Sequence, residues 1–318
     1  MRSGPLSDSG SREHMPDPSP QPARIVAAFG RSYLADTGNQ TALPCVARGK
    51  RSEAVCGDQV LLRLGQDPAV IESILPRRNA LWRQDAWRSK VFAANLDLVM
   101  VMTAPEPTPN LELVGRALIA AQAEGIPSAL VLNKCELPSA AQLREQLQPL
   151  QDAGYPLIEL SARQSPEFAA QTLRSWLDGR VGMLIGASGV GKSTLANALV
   201  PGLRAQTQAI SAALNAGRHT TTTTRLYPLH GLPPPSALLD SPGFQAFGLN
   251  QLSVSQLQHA LPEIATLNGD CRFNNCTHRQ EPGCAVRSAV DCGQLPASRY
   301  ALYLRVLQEL LDESSVKV

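Results

Sequence analysis

The sequence predicts three folded units in series: a small all-β barrel, a larger α/β domain on a doubly wound parallel sheet, and a short helical C-terminal unit closed around a metal ion. Three observations carry that reading. Short apolar runs broken by turn residues fill positions 24–76, strand and helix signals alternate from Val91 onward, and four potential metal ligands lie between Cys271 and Cys284. A chain of 318 residues exceeds one average domain, and a hydrophobic content of 43% is enough for real cores.

Ahead of the first apolar run, residues 1–23 mix Ser, Pro, Gly and charge, which predicts a disordered tail with Met15 as the natural start. The tail has no apolar stretch of the secretory kind, and no run of about 18 apolar residues occurs elsewhere, so a cytoplasmic protein with no membrane partner is expected. Net charge is only +2, so any RNA contact has to come from local patches. The seven cysteines stand at 45, 56 and 135 and then cluster at 271, 276, 284 and 292. That distribution points to a metal site in a reducing compartment, not to a disulfide framework.

In the first unit the runs Arg24-Ile-Val-Ala-Ala-Phe-Gly, Tyr33-Leu-Ala-Asp, Leu43-Pro-Cys-Val-Ala and Asp58-Gln-Val-Leu-Leu-Arg-Leu predict strands. Residues 24–76 suit a compact barrel of the oligonucleotide-binding (OB) type, although a generic β scaffold has the same composition. Residues 77–90 carry Arg77, Arg78, Arg83, Arg88 and Lys90, and are expected to form a basic, solvated linker.

The α/β unit, residues 91–249, has buried strands at Leu96–Thr103, Ala129–Leu132, Pro156–Leu160 and Gly182–Ile185. Helical spacing separates them at Leu111–Glu124, Ala140–Ala153 and Glu167–Leu177. Ligands of such sheets bind beyond the carboxyl ends of the strands, and each motif below follows a strand.

Gly186-Ala187-Ser188-Gly189-Val190-Gly191-Lys192-Ser193 satisfies G-x-x-x-x-G-K-[ST] and precedes a helix beginning at Thr194. Its glycines let successive amides face phosphate oxygens. Lys192 is expected on the β- and γ-phosphates, and the Ser193 hydroxyl on Mg²⁺. Asn133-Lys134-Cys135-Glu136 resembles the guanine-reading N-K-x-D segment, whose carboxylate accepts from two donors that adenine lacks. Glu136 stands where Asp is usual, one methylene longer. Ser161-Ala162 resembles the segment that backs the base with main-chain donors. Asp240-Ser-Pro-Gly243 matches D-x-P-G, with Asp240 toward Mg²⁺ through water and Gly243 toward the γ-phosphate. Between them lies Gly217-Arg-His-Thr-Thr-Thr-Thr-Thr-Arg225, read as a switch ordered by Mg²⁺ and phosphate. Thr221 or Thr222 is the candidate metal ligand, five consecutive threonines leaving the register open. Guanine motif first, phosphate loop second and switches last is a circularly permuted order, tolerated because domain termini often lie close together.

In the last unit, residues 250–318, the spacing Cys271-x4-Cys276-x-His278-x5-Cys284 supplies three thiolates and an imidazole, the ligand set of one structural zinc ion. Cys292 is a spare. Leu302, Leu304, Val306, Leu307 and Leu310 predict a closing helix from Ala297 to Leu311.

Together these motifs, with Pro76-Arg-Arg-Asn-x-Leu-x-Arg83, resemble the ribosome small subunit-dependent GTPase A family (RsgA, also YjeQ) over nearly everything after the first two dozen residues. The resemblance implies an α/β P-loop GTPase domain, circularly permuted, with an N-terminal OB-type barrel and a C-terminal zinc-binding domain. It also implies a GTP hydrolase that assists late maturation of the small ribosomal subunit. Its slow hydrolysis would be stimulated by that subunit, and the barrel and zinc unit would contact rRNA. GTP and GDP are the implied ligands, and a monomer the expected state. Phe244 stands where many GTPases carry a water-orienting Gln, which makes His219 a candidate to align the water. The plainer alternative is a solvent-facing histidine. Two rival classes are an ATP-dependent kinase, which has no use for Asn133-Lys134, and a zinc module whose nucleotide site is vestigial, which would not need Lys192, Ser193 and Asp240.

Overall fold

A computed structural model describes residues 19–38, 42–48, 53–65, 67–85, 88–203, 224–240, 247 and 249–316. Strands β1 (Gln21–Phe29), β2 (Ser32–Asp36), β3 (Leu43–Ala47), β4 (Gln59–Arg63) and β5 (Ala69–Ile74) form the first unit. The pairings β1–β2–β3–β5–β4 close back through β4 onto β1. This closed circuit of five strands is the barrel expected from the sequence, with the short run at Ala69–Ile74 as its unpredicted fifth member. Alternate side chains point inward as the pleat requires, so Ala23 and Ile25 of β1 and Val60 and Leu62 of β4 meet Tyr33, Cys45 and Ile71 in the core.

The basic stretch 77–90 is not a solvated linker. It folds into a two-stranded hairpin, β6 (Ala80–Asp85) and β7 (Arg88–Ala94). The correction has a physical cause, because several of its polar groups have fixed long-range partners. Arg77 grips the fully buried Asp58 with two bonds of 2.7 and 2.8 Å, and Arg78 donates to Asp97 at 2.8 Å. Ala80 N and the Trp82 indole both donate to Glu124. Gly57 lies against the end of β7, with φ of +94°, and a Cβ there would come within 2.0 Å of the Ala94 carbonyl oxygen. Only glycine fits that approach.

The second unit is a sheet of β8 (Leu98–Thr103), β9 (Ser128–Asn133), β10 (Leu157–Leu160), β11 (Val181–Gly186), β12 (Arg225–Pro228) and β13 (Ala237–Asp240). Its order is β10-β9-β8-β11-β13-β12, parallel except for β12, a strand the sequence reading missed. Ala27 of β1 pairs with Arg225 of β12, so barrel and α/β sheet are continuous. Helices α1 (Leu111–Ala123) and α2 (Ala140–Asp152) cover one face, where Val99, Val101, Leu130, Leu132 and Ile185 point. Helices α3 (Pro166–Trp176) and α4 (Lys192–Leu199) cover the other, over Met100, Met102, Val131 and Leu184. Burial on both faces explains why β8 reads as a continuous apolar run.

The third unit has α5 (Val254–His259), α6 (Pro262–Ala265), a 3₁₀ turn (Asn268–Asp270), α7 (Ala285–Asp291) and α8 (Ala297–Val316). A capping box on Ser253 and Gln256 starts α5. Helix α8 outruns its predicted end at Leu311 and lies against α1, where a Cβ on Gly115 would meet Leu302 at 2.3 Å. Arg116 of α1 pairs with Glu309 of α8, and the core of this unit is shared with the α1 face of the sheet. Among the described residues no helix is long and apolar enough to cross a membrane.

Candidate nucleotide site and metal centre

Because β8, β9, β10, β11 and β13 run parallel, their carboxyl ends lie along one edge, and the motifs converge there. The chain leaves β11 at Gly186, forms the loop 187–191, and enters α4 at Lys192. Two glycines make this path possible. A Cβ on Gly186 would sit 2.3 Å from the Met102 carbonyl oxygen, and one on Gly191, whose φ is +105°, would sit 2.3 Å from the Asn133 amide nitrogen. The Lys192 ammonium donates to the carbonyls of Gly186 at 2.7 Å and Ala187 at 2.6 Å. Burial lowers its pKa below the usual lysine range, while the Asp240 carboxylate pulls the other way. Asp240 stands at the end of β13, the strand beside β11, and its charge is felt by the loop lysine. Ser188, Ser193 and Thr194 are exposed at the mouth of the loop, and Val190 is buried beneath it.

Asn133 ties three segments together. Its amide nitrogen donates to the Val190 carbonyl at 2.8 Å, and its oxygen accepts from Ala162 N at 2.9 Å. The side chain is thereby fixed between the phosphate loop and the Ser161-Ala162 turn. Ser161 is buried and its hydroxyl accepts from Gln164 N, three residues on, at 3.1 Å, a side-chain-to-backbone bond that shapes this segment. Lys134 takes a positive φ of +59° and donates to Gly189 O at 3.0 Å and Glu106 O at 2.6 Å. Cys135 N donates to Leu160 O at 3.3 Å, and burial pushes the Cys135 thiol up, with Glu136 and Glu159 adding to the effect. Glu136 is exposed at the rim.

The loop between β8 and α1 also contributes, and the sequence reading passed over it. Glu106 supplies a carbonyl to Lys134, and the Pro107 ring lies 3.2 Å from where a Cβ on Gly189 would stand. Its position at the carboxyl end of a parallel strand was the signal that could have found it. Four predicted site residues, His219, Thr221, Thr222 and Gly243, lie outside the described residues.

Some distance along the chain, Cys271, Cys276, His278 and Cys284 bring one ligand atom each to within 4.8 Å of one another. His278 Nδ1 stands 3.6 Å from Cys271 Sγ and 3.4 Å from Cys284 Sγ. A tetrahedral zinc ion with bonds of about 2.3 Å to sulfur and 2.0 Å to nitrogen would require edges of about 3.5 Å. The four residues fit the ion. Cys292, the spare, is exposed and outside the group.

A parallel sheet with a G-x-x-x-x-G-K-S loop, an Asn-Lys segment earlier in the chain stitched to that loop, and an Asp at the end of the next strand define a circularly permuted P-loop GTPase fold. The chain belongs to the RsgA GTPase family, whose sequence model matches residues 74–250. It is 48% identical to the Small ribosomal subunit biogenesis GTPase RsgA of Bordetella pertussis over 287 residues, which covers 90% of this chain and 95% of that one. A second relative of the same name, from Neisseria gonorrhoeae, is 43% identical over 308 residues, covering 96% and 98%. Among solved structures, YjeQ from Thermotoga maritima superposes with a TM-score of 0.70 at 25% identity, covering 92% of this chain and 99% of that one. YloQ, described as a circularly permuted GTPase, superposes with a TM-score of 0.69 at 22% identity, covering 94% and 98%, a likeness of fold.

Proposed function

We propose that this chain binds GTP with Mg²⁺ at the carboxyl edge of the sheet, hydrolyses it, and acts on the small ribosomal subunit late in its maturation. The observation that carries the reading is the pair of hydrogen bonds by which Asn133 donates to the Val190 carbonyl and accepts from Ala162 N, which joins base-side and phosphate-side segments into one site. Relatives matching nine-tenths of the chain, with the ribosomal role in their names, support the choice of partner.

In this proposal the amides of Gly186, Ala187, Ser188, Gly189, Val190 and Gly191 cradle the phosphates, with Thr194 at the start of the helix behind them. Lys192 releases its loop carbonyls to neutralise the β- and γ-phosphates. Ser193 and Thr221 or Thr222 hold Mg²⁺, Asp240 reaches it through water, and Gly243 senses the γ-phosphate. When bound, the metal supplies charge neutralisation on the phosphate oxygens. Asn133, Lys134, Cys135, Glu136, Ser161 and Ala162 surround the guanine, and His219 aligns the attacking water. Most of the barrier reduction comes from positioning and from fixed charge, so the isolated protein turns over slowly and the subunit accelerates it. The barrel (24–76) and the zinc unit (250–318) flank the GTPase domain (91–249) and are the rRNA-contacting surfaces. The protein works as a cytoplasmic monomer.

The test is GTP turnover with purified small subunits, with large subunits, and with neither. Stimulation confined to small subunits is expected. Equal rates in all three arms, or GTP binding unaffected by Lys192→Ala, would sink the proposal. Normal stimulated turnover in His219→Ala would remove that residue from the mechanism.

A further inference from the structure

The zinc ligands sit on a turn whose shape the ligands alone do not determine. His278 adopts φ of +59°, a left-handed conformation that is unfavourable for a non-glycine residue and persists only when its surroundings enforce it. The enforcement comes from side chains outside the ligand set. The Glu281 carboxylate accepts four hydrogen bonds: from Thr277 N at 2.7 Å and Thr277 Oγ1 at 2.6 Å on one oxygen, and from Arg279 N at 2.8 Å and Gln280 N at 3.0 Å on the other. It therefore grips the main chain on both sides of His278. The carbonyls of the same turn are captured from the helices: Cys276 O by Gln258 at 2.8 Å, Thr277 O by Tyr303 at 2.8 Å and His278 O by Tyr300 at 2.5 Å. On the imidazole, Nε2 stands 2.7 Å from Asn268 Oδ1, an oxygen that can only accept. The proton is thereby held on Nε2, and the Nδ1 lone pair faces the thiols.

We propose that Glu281 and Asn268 are the positioning residues of the metal centre. Glu281 templates the backbone of the turn so that Cys276 and His278 face the same point, and Asn268 selects the tautomer and ring orientation that bind through Nδ1. Neither residue touches the ion. Both set how tightly it is held, because without them the ligands must be reorganised at each binding event.

The experiment uses the full-length, zinc-loaded protein. Zinc transfer to a chromogenic chelator at 25 °C gives affinity and release rate, and the cobalt-substituted protein gives the ligand-field spectrum. Glu281→Gln turns an amide group toward two N–H donors, and Asn268→Leu removes the acceptor. Each is expected to weaken zinc affinity by about 10- to 100-fold, the range for outer-shell partners of metal ligands. Asn268→Asp retains the acceptor and is expected to hold zinc at least as well as wild type. Thr277→Val, which removes one of the four bonds to Glu281, should fall between wild type and Glu281→Gln. Wild-type zinc retention in both Glu281→Gln and Asn268→Leu overturns the proposal, as does a fall in thermal midpoint with an unchanged release rate and cobalt spectrum. If Glu281→Gln does not fold, Thr277→Val and Asn268→Leu decide the matter, and wild-type release in both overturns it.

Discussion

The carboxamide of Asn133 donates to the Val190 carbonyl at 2.8 Å while accepting from Ala162 N at 2.9 Å, with all three residues buried. Removing it leaves a carbonyl and an amide without partners, at about 1–3 kcal/mol each. Asn133→Ala is therefore expected to lower GTP-analogue affinity by about 100-fold or more and to lower the thermal midpoint as well. Lys192→Ala, which removes a ligand group and no internal strut between segments, should lose affinity with little change in midpoint. Calorimetric titration beside a thermal melt separates the two. A normal midpoint in Asn133→Ala would mean that the amide serves only the ligand.

Arg77 holds Asp58, whose side chain is fully buried and also accepts from Val55 N at 2.8 Å. The pairing raises the Arg77 pKa further, chiefly through the hydrogen bond to Asp58. Arg77→Met should cost about 3–5 kcal/mol in urea denaturation, because it strands a carboxylate away from water. The double variant Asp58→Asn with Arg77→Met should recover part of that loss. If the double variant is worse than the single, the carboxylate left behind contributes more through its bond from Val55 N than it costs as a stranded charge.

At the rim of the site, Arg144 donates to Glu159 at 2.8 Å, and this hydrogen bond holds the Glu159 carboxyl below its ordinary 4.5. A depressed carboxylate contributes stability that is present above its unfolded pKa and is lost as pH falls through the folded value. The difference in thermal midpoint between wild type and Arg144→Gln should thus be seen near neutral pH, shrink below about 4.5, and vanish in stronger acid. NMR titration of Glu159 should show its pKa rising in Arg144→Gln. A midpoint difference that persists unchanged into acid would assign it to packing of the arginine stem.

Zinc removal should unfold more than the knuckle. Cys276, Cys284 and Tyr303 belong to the same core as Val99, Val101 and Leu118, so loss of the ion exposes a surface that the α1 face of the sheet also uses. Hydrogen exchange after chelation should show amides of α7 and α8 losing protection first, α1 next, and the barrel strands β1 and β4 last. Simultaneous loss across all elements would show a single cooperative unit.

Much of the chemistry was legible because it is local. A phosphate loop, an Asn-Lys segment, an Asp at a strand end and a Cys/His cluster each occupy consecutive or near-consecutive positions, and the strand before each motif shows in its apolar run. The barrel was legible in outline, but β5 was not, since Glu72 and Ser73 interrupt its apolar run. The hairpin at 80–94 was hidden for a different reason. The arginines that lead into it look like a solvated charge run until Asp58 and Asp97 are brought beside Arg77 and Arg78, 19 residues away in each case.

From its order of residues alone, this protein determined its three units, its permuted motif order and its metal ligand set, because backbone periodicity and ligand spacing act over a few residues. Tertiary structure alone decided that Asn133 is the stitch between motifs 29 and 57 residues apart, that Glu106 and Pro107 brace the phosphate loop, and that Glu281 and Asn268 shape the zinc turn. The physical reason is that a buried hydrogen bond is specified by two partners at once, and most of these partners become neighbours only when the sheet and helices have packed.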